Sequence, residues 1–151
     1  MRYNELAMKV VATNRRAKFD YDITDTLVTG VVLHGAEVKS VKQGAISLKG
    51  SHVTINGGEL YVLNAHISHY KQAGVQERDE TRTRKLLVHK KELAKLVQAK
   101  QNGLAIVPLK AGIERGLIKI EIGIGRGRKK VDKRGLIKQR EAARNIERAK
   151  R

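Results

Sequence analysis

Apolar and polar residues alternate most strictly over Leu117 to Gly125, where Ile118, Ile120, Ile122 and Ile124 are separated by Lys119, Glu121 and Gly123. A period of two predicts a strand with one apolar and one wet face. Leu104 to Ala111, just before it, reads as another strand. From Tyr21 the stretch DYDITDTLVTGVVLHG is rich in β-branched residues and ends in the apolar run Val31-Val32-Leu33 between glycines, which predicts a long first strand. Ser51 to Ile55 and Glu59 to Leu63 flank Asn56-Gly57-Gly58, whose residues tolerate positive φ and so predict a tight hairpin. Ile46 to Lys49 is a candidate extra short strand.

Two segments carry a helical period instead. In His89 to Asn102 the residues Leu93, Leu96 and Val97 fall at i, i+3, i+4, lysines occupy the other side, and Gly103 follows as a C-terminal stop. Gly35 to Gly44 places Val38 and Val41 three apart between charged neighbours, a short helix ending at Gly44. Lys71 to Lys85 has no hydrophobic period and exceeds the usual connection length, so it reads as a mobile or functional loop. Short antiparallel strands, interposed helices and a hairpin predict a mainly β fold with helices: a small oligonucleotide-binding-like antiparallel β-barrel over residues 1–125.

Beyond residue 125 the pattern changes character. Arg126 to Arg151 holds 12 of the 32 Lys and Arg but three acidic residues, a net +9 out of +17 for the chain. Burial there cannot repay the entropy of ordering, so residues 126–151 are expected to be disordered when free. Leu136 to Lys150 has helix-forming composition with a thin apolar face, marginal as an isolated helix. Glycine in Gly125-Arg126-Gly127 is expected to let the chain leave the barrel flexibly.

Charge then narrows the class. Both parts are basic, which predicts attraction to phosphate backbones that weakens steeply with salt. No stretch approaches the roughly 20 apolar residues of a spanning helix, and Met1 to Thr13 shows no cleavage pattern. Zero cysteines exclude a disulfide framework, a thiolate nucleophile and a Cys-based zinc site; a reducing cytoplasm fits best. Only five aromatic residues are present, Tyr3, Phe19, Tyr21, Tyr61 and Tyr70, so the ring clusters of single-strand RNA readers are absent. His66 and His69 sit three apart without a third ligand, and no nucleophile with a base and its orienter is found. The expectation is a non-enzymatic protein without metal or cofactor.

Four segments in order carry a family likeness: Asn14-Arg15-Arg16-Ala17, Gly35-Ala36-Glu37-Val38-Lys39-Ser40, Thr81-Arg82-Thr83-Arg84-Lys85-Leu86-Leu87, and Asp132-Lys133-Arg134 running into Ile137-Lys138-Gln139-Arg140. Asn64-Ala65-His66-Ile67 and Val107-Pro108-Leu109-Lys110 match between them. Together they resemble the SsrA-binding proteins (small protein B) of bacterial trans-translation. The resemblance implies an oligonucleotide-binding-type barrel that binds the tRNA-like domain of transfer-messenger RNA (tmRNA, or SsrA), acts alongside elongation factor Tu, and rescues stalled ribosomes. It further implies a tail that enters the empty messenger channel near the small-subunit decoding centre and becomes helical there from about residue 136. The expected chain is a monomer, with no membrane partner.

By the same resemblance, Asn14 and Leu87 match residues that grip the RNA, Lys119 lies on that face, and Glu37 and Lys39 belong to the helix motif. The expected RNA-binding set is Asn14, Arg15, Arg16, Glu37, Lys39, Arg82, Arg84, Lys85, Leu87 and Lys119. The expected ribosome-binding set is Arg126, Arg128, Lys129, Lys130, Asp132, Lys133, Arg134, Ile137, Lys138 and Arg140. Two positions depart from the family pattern: Val28 stands where some members have a strand glutamate, and Val131 where many have a histidine. Plainer roles stand beside these. Asn14 is also a good helix N-cap, Leu87 a core residue, Glu37 a local counter-charge, and Lys119 a solvated lysine. A structural ribosomal protein is the rival class, and an RNA-processing enzyme the third.

Overall fold

The computed structural model describes residues 8–69 and 79–149, apart from the side chains of 130–133 and 147–149. The described elements are β1 (Lys9–Thr13), α1 (Arg15–Asp20), β2 (Tyr21–Val31), α2 (Gly35–Lys42), β3 (Ile46–Ser47), β4 (His52–Asn56), β5 (Glu59–Leu63), β6 (His66–Ile67), β7 (Arg84–Leu87), α3 (Lys90–Gln101), β8 (Ala105–Glu114), β9 (Leu117–Gly127) and α4 (Lys130–Ala149). Seven strands form one antiparallel sheet in the order β1-β8-β9-β2-β7-β5-β4, and β3 pairs with β6 apart from it. The sheet curls around its core in the oligonucleotide-binding manner but does not close: β1 and β4 are its two edges.

The core lies inside that curl. Val53, Leu60, Val62, Leu86, Ile106, Ala111, Ile118, Ile120, Ile122 and Ile124 meet there, with Val41 of α2 and Leu96 of α3. Each fully buried aliphatic side chain contributes about 1.5–3 kcal/mol, so helices as short as α2 are held by packing rather than by propensity. A smaller cluster, Ala17, Val107 and Leu109, lies under α1 on the opposite face of β8. Burial on both faces accounts for the unbroken run Ile106-Val107-Pro108-Leu109, since along these four residues neither side of β8 meets water.

The hairpin, the α3 helix and the strand pair β8–β9 follow the sequence pattern. Gly57 and Gly58 form the two-residue β4–β5 turn with φ of 60° and 76°. Three readings change. The second face of β9 is open only toward the strand's ends, at Leu117, Lys119 and Gly127, because Glu121, Gly123 and Gly125 are buried. Gly125 is no flexible exit either: β9 stays paired with β2 as far as Gly127. A Cβ on Gly125 would come 2.2 Å from the Asp22 carbonyl oxygen, so glycine is required by the close approach at a bulge of β2. The Lys71 to Lys85 loop is shorter than its composition implied, since Arg84 and Lys85 belong to β7; residues 70–78 lie outside the described residues.

Candidate nucleic-acid interface

The sheet register sets out the first candidate surface. Leu87 of β7 stands opposite Gly30 of β2, and Gly30 opposite Lys119 of β9. Directly opposed residues share a face, so Leu87 and Lys119 flank a position that has no side chain. Leu87 is 50% exposed. An open cavity of about 530 Å³ results, lined also by Val28, His89, Glu92, Arg115 and Leu117. Arg115 reaches it from the β8–β9 turn, where Arg115 and Gly116 have φ of 50° and 77°. Left-handed backbone at a non-glycine residue is uncommon, and here it fixes a cation at the hairpin tip. Val28 stands opposite Glu121 across the β2–β9 ladder.

A second surface surrounds α1. Asn14 is buried and acts as a bracket: its Oδ1 accepts from the Ala17 N–H at 3.3 Å, and its Nδ2 donates to the Pro108 carbonyl at 2.9 Å. Its own N–H donates to the Leu109 carbonyl at 2.7 Å. The N-cap role is therefore real, and it ties α1 to β8. Arg15 and Arg16 are exposed, and Arg16 pairs with Asp20 at 3.2 Å. Both line a 680 Å³ cavity with Phe19, Lys49 and the tail residue Arg140.

Glu37, Arg82 and Arg84 converge, but on one another. Arg84 is 1% exposed; its Nε donates to Glu37 Oε2 at 2.8 Å, and its Nη atoms donate to the carbonyls of Ala65, Arg82 and Glu80. Arg82 pairs with the other Glu37 oxygen, which also accepts from the His34 N–H at 2.9 Å. Burial pushes the Glu37 carboxyl up, yet the hydrogen bonds from Arg82, His34 and Arg84, with the Arg84 charge, outweigh it and bring the pKa down to about 2. Such a network leaves Arg84 no donor for a phosphate and Glu37 little room to accept from a base. Glu37 and Arg84 thus meet each other inside the fold.

Lys85 is half-buried and turned to Glu59 at 3.0 Å, while Lys39 is exposed on α2. In the tail, Arg126, Lys129, Arg134, Ile137, Lys138 and Arg140 are exposed, and Arg128 is anchored by its N–H to the Asp20 carbonyl at 2.7 Å. The side chains of Lys130, Val131, Asp132 and Lys133 lie outside the described residues. Helix α4 begins at Lys130, within that motif. Phe19, Lys49 and Arg115 join these surfaces without having been singled out in the sequence. For Arg115 a signal existed, Arg-Gly between two strands; for the other two only the tertiary packing reveals it.

Among the described residues no group of three or more His, Cys, Asp or Glu could hold a metal ion. His66 pairs with Glu80 at 3.1 Å, beside the Ile67 to Glu80 backbone hydrogen bond. No described helix is long and apolar enough to cross a membrane. The arrangement offers separated surfaces that each carry exposed cations around a curled sheet, in a chain of net charge +17, the chemistry of polyanion binding.

Comparison with known proteins agrees with the motifs. The SmpB protein family model matches residues 11–151. The SsrA-binding protein of Listeria welshimeri is 48% identical over 142 residues, covering 93% of this chain and 92% of that protein. The SsrA-binding protein of Oceanobacillus iheyensis is 46% identical over 143 residues with the same coverage. A solved structure, "tmRNA-SmpB: a journey to the center of the bacterial ribosome", aligns with a TM-score of 0.65 and 40% identity, over 82% of this chain and 86% of that chain. With the family model spanning all but the first ten residues and relatives this similar along nearly their full length, the chain belongs to the SmpB, or SsrA-binding protein, family.

Proposed function

We propose that this protein is a non-enzymatic RNA adaptor that binds the tRNA-like domain of tmRNA and brings it, with elongation factor Tu, to stalled ribosomes. The observation that carries the reading is near-full-length similarity to proteins named for binding SsrA, on a fold whose exposed chemistry is cationic. Leu87, Lys119 and Arg115 form one RNA-facing surface, and Asn14 sets the position of Arg15 and Arg16 on another. Lys39, Arg82 and Lys85 add charge between them, while Glu37 and Arg84 hold the framework.

The tail is the second half of the device. A polyanionic channel stabilises a helix as cationic as α4 from several sides at once, and an empty messenger tunnel is such a channel. Asp132, Lys133 and Arg134 are assigned to the decoding-centre end, and Ile137, Lys138 and Arg140 to the helical part. The protein acts as a cytoplasmic monomer.

The test is a titration of the purified chain with tmRNA and, separately, with elongator tRNA, each at two salt concentrations. A preference for tmRNA that survives the higher salt is expected. Equal, salt-labile binding overturns the adaptor reading and favours a structural ribosomal protein.

A further inference from the structure

The 680 Å³ cavity beside α1 differs from the other surfaces in holding an aromatic ring. Phe19 is half-buried at its wall, Leu48 is buried beneath, and the exposed cations Arg15 and Lys49 stand at the rim. Two guanidiniums lie over the ring, Arg16 at 5.3 Å from its centroid and Arg140 of the tail at 5.6 Å. A ring with an apolar floor and flanking cations is what a nucleobase and its phosphate require.

Arg140 reaches this ring from far along the tail. Of the described α4 side chains only Leu136 is half-buried, beside Asp22 and Arg126, and the rest are exposed. The helix therefore rests on the domain through few contacts. An exposed cation–π contact is weak, and stacking of a base on an aromatic ring is the stronger competitor.

We propose that the Phe19 cavity seats one unstacked nucleobase of the bound RNA, and that Arg140 occupies the stacking position until the RNA displaces it. The inference rests on the RNA-adaptor reading above and adds a site to it. Base binding and tail docking are then mutually exclusive, so engagement of the RNA frees the tail.

The test uses the full-length chain. With a benzophenone amino acid at position 19, irradiation in the presence of tmRNA is expected to crosslink one nucleotide of the tRNA-like domain. Phe19→Leu, which keeps the apolar bulk, is expected to lower tmRNA affinity about tenfold with an unchanged melting temperature. Absence of a crosslink together with full affinity in Phe19→Leu overturns the base site while the adaptor reading stands; loss of tmRNA preference in the unaltered protein overturns both. Added 5′-AMP distinguishes the source of the base: crosslinking that persists supports RNA, and complete competition overturns it in favour of a free nucleotide. Since the chain has no cysteine, spin labels at His52→Cys and Ile146→Cys report the tail directly. Their distance distribution is expected to change when tmRNA is added, and an unchanged distribution overturns the displacement.

Discussion

Arg84 and Glu37, 47 residues apart in sequence, are joined inside the protein by a 2.8 Å hydrogen bond from the guanidinium Nε to the carboxylate. That contact fastens α2 to β7, and the remaining Arg84 donors hold the carbonyls of Ala65 and Glu80 on either side of it. Two motifs that look like RNA contacts in the sequence are thus the two halves of one brace. The lysine and two leucines that follow in β7 inherit their position from it.

Removing Arg84 leaves the buried Glu37 carboxylate with Arg82 as its remaining cation and strands the carbonyls that Arg84 held. Arg84→Ala is expected to destabilise the fold by about 3–5 kcal/mol, and Arg84→Lys to recover little, because an ammonium cannot reproduce the planar fork. Urea unfolding measures both; near-wild-type stability of either variant would show the brace to be dispensable.

The same brace predicts an acid limb. Glu37 titrates near pH 2 in the folded protein against 4.5 ordinarily, a depressed pKa. Its contribution is therefore complete above pH 4.5 and lost as pH falls toward 2, at most about 3 kcal/mol. The stability difference between the native chain and Glu37→Gln should shrink over that window and stay flat from pH 5 to 8.

At position 28 an apolar residue has a local reason. Val28 faces Glu121 across the ladder, and two carboxylates directly opposed repel. Val28→Glu should cost about 0.5–1 kcal/mol, and pairing it with Glu121→Lys should restore the loss. A double-mutant cycle with no coupling would refute the explanation.

On the proposed RNA face, Lys119→Ala should weaken tmRNA binding and reduce the slope of log affinity against log salt by about 1. Gly30→Leu fills the gap between Leu87 and Lys119, where an added Cβ already lies 3.3 Å from Leu87, and should weaken binding without unfolding the sheet. Unchanged affinity in both variants would move the RNA elsewhere.

For the tail, deletion of residues 130–151 is the clean cut, because β9 needs its residues as far as Gly127 for pairing. The truncated protein should bind tmRNA with affinity reduced only by its lost charge, yet fail to support tagging on stalled ribosomes. Lys133→Glu with Arg134→Glu should reproduce that split, and an equal loss of RNA binding and tagging would contradict it.

Much of the fold was legible because it is local. The period of Ile118 to Ile124, the Leu93-Leu96-Val97 stripe and the Gly57-Gly58 turn each carry their signal within a few residues. β1 and β6 were not legible: Lys9–Thr13 has no clean alternation and is a strand because β8 offers a partner, and His66–Ile67 is two residues long. The wet face assigned to β9 failed for a similar reason, since Gly123 and Gly125 look solvent-tolerant until β2 and Leu109 press against them.

By itself, then, the sequence determined the strands and helices with local periods, the basic character of both parts, and through its ordered motifs the family. Burial and pairing decided the rest. Whether an arginine meets phosphate or a carboxylate depends on what the chain brings beside it, and Arg84 and Arg16, alike in composition, end in opposite environments because one is enclosed by the sheet's end and the other is left at the rim of a cavity. Long-range pairing makes that difference, and no window of neighbouring residues contains it.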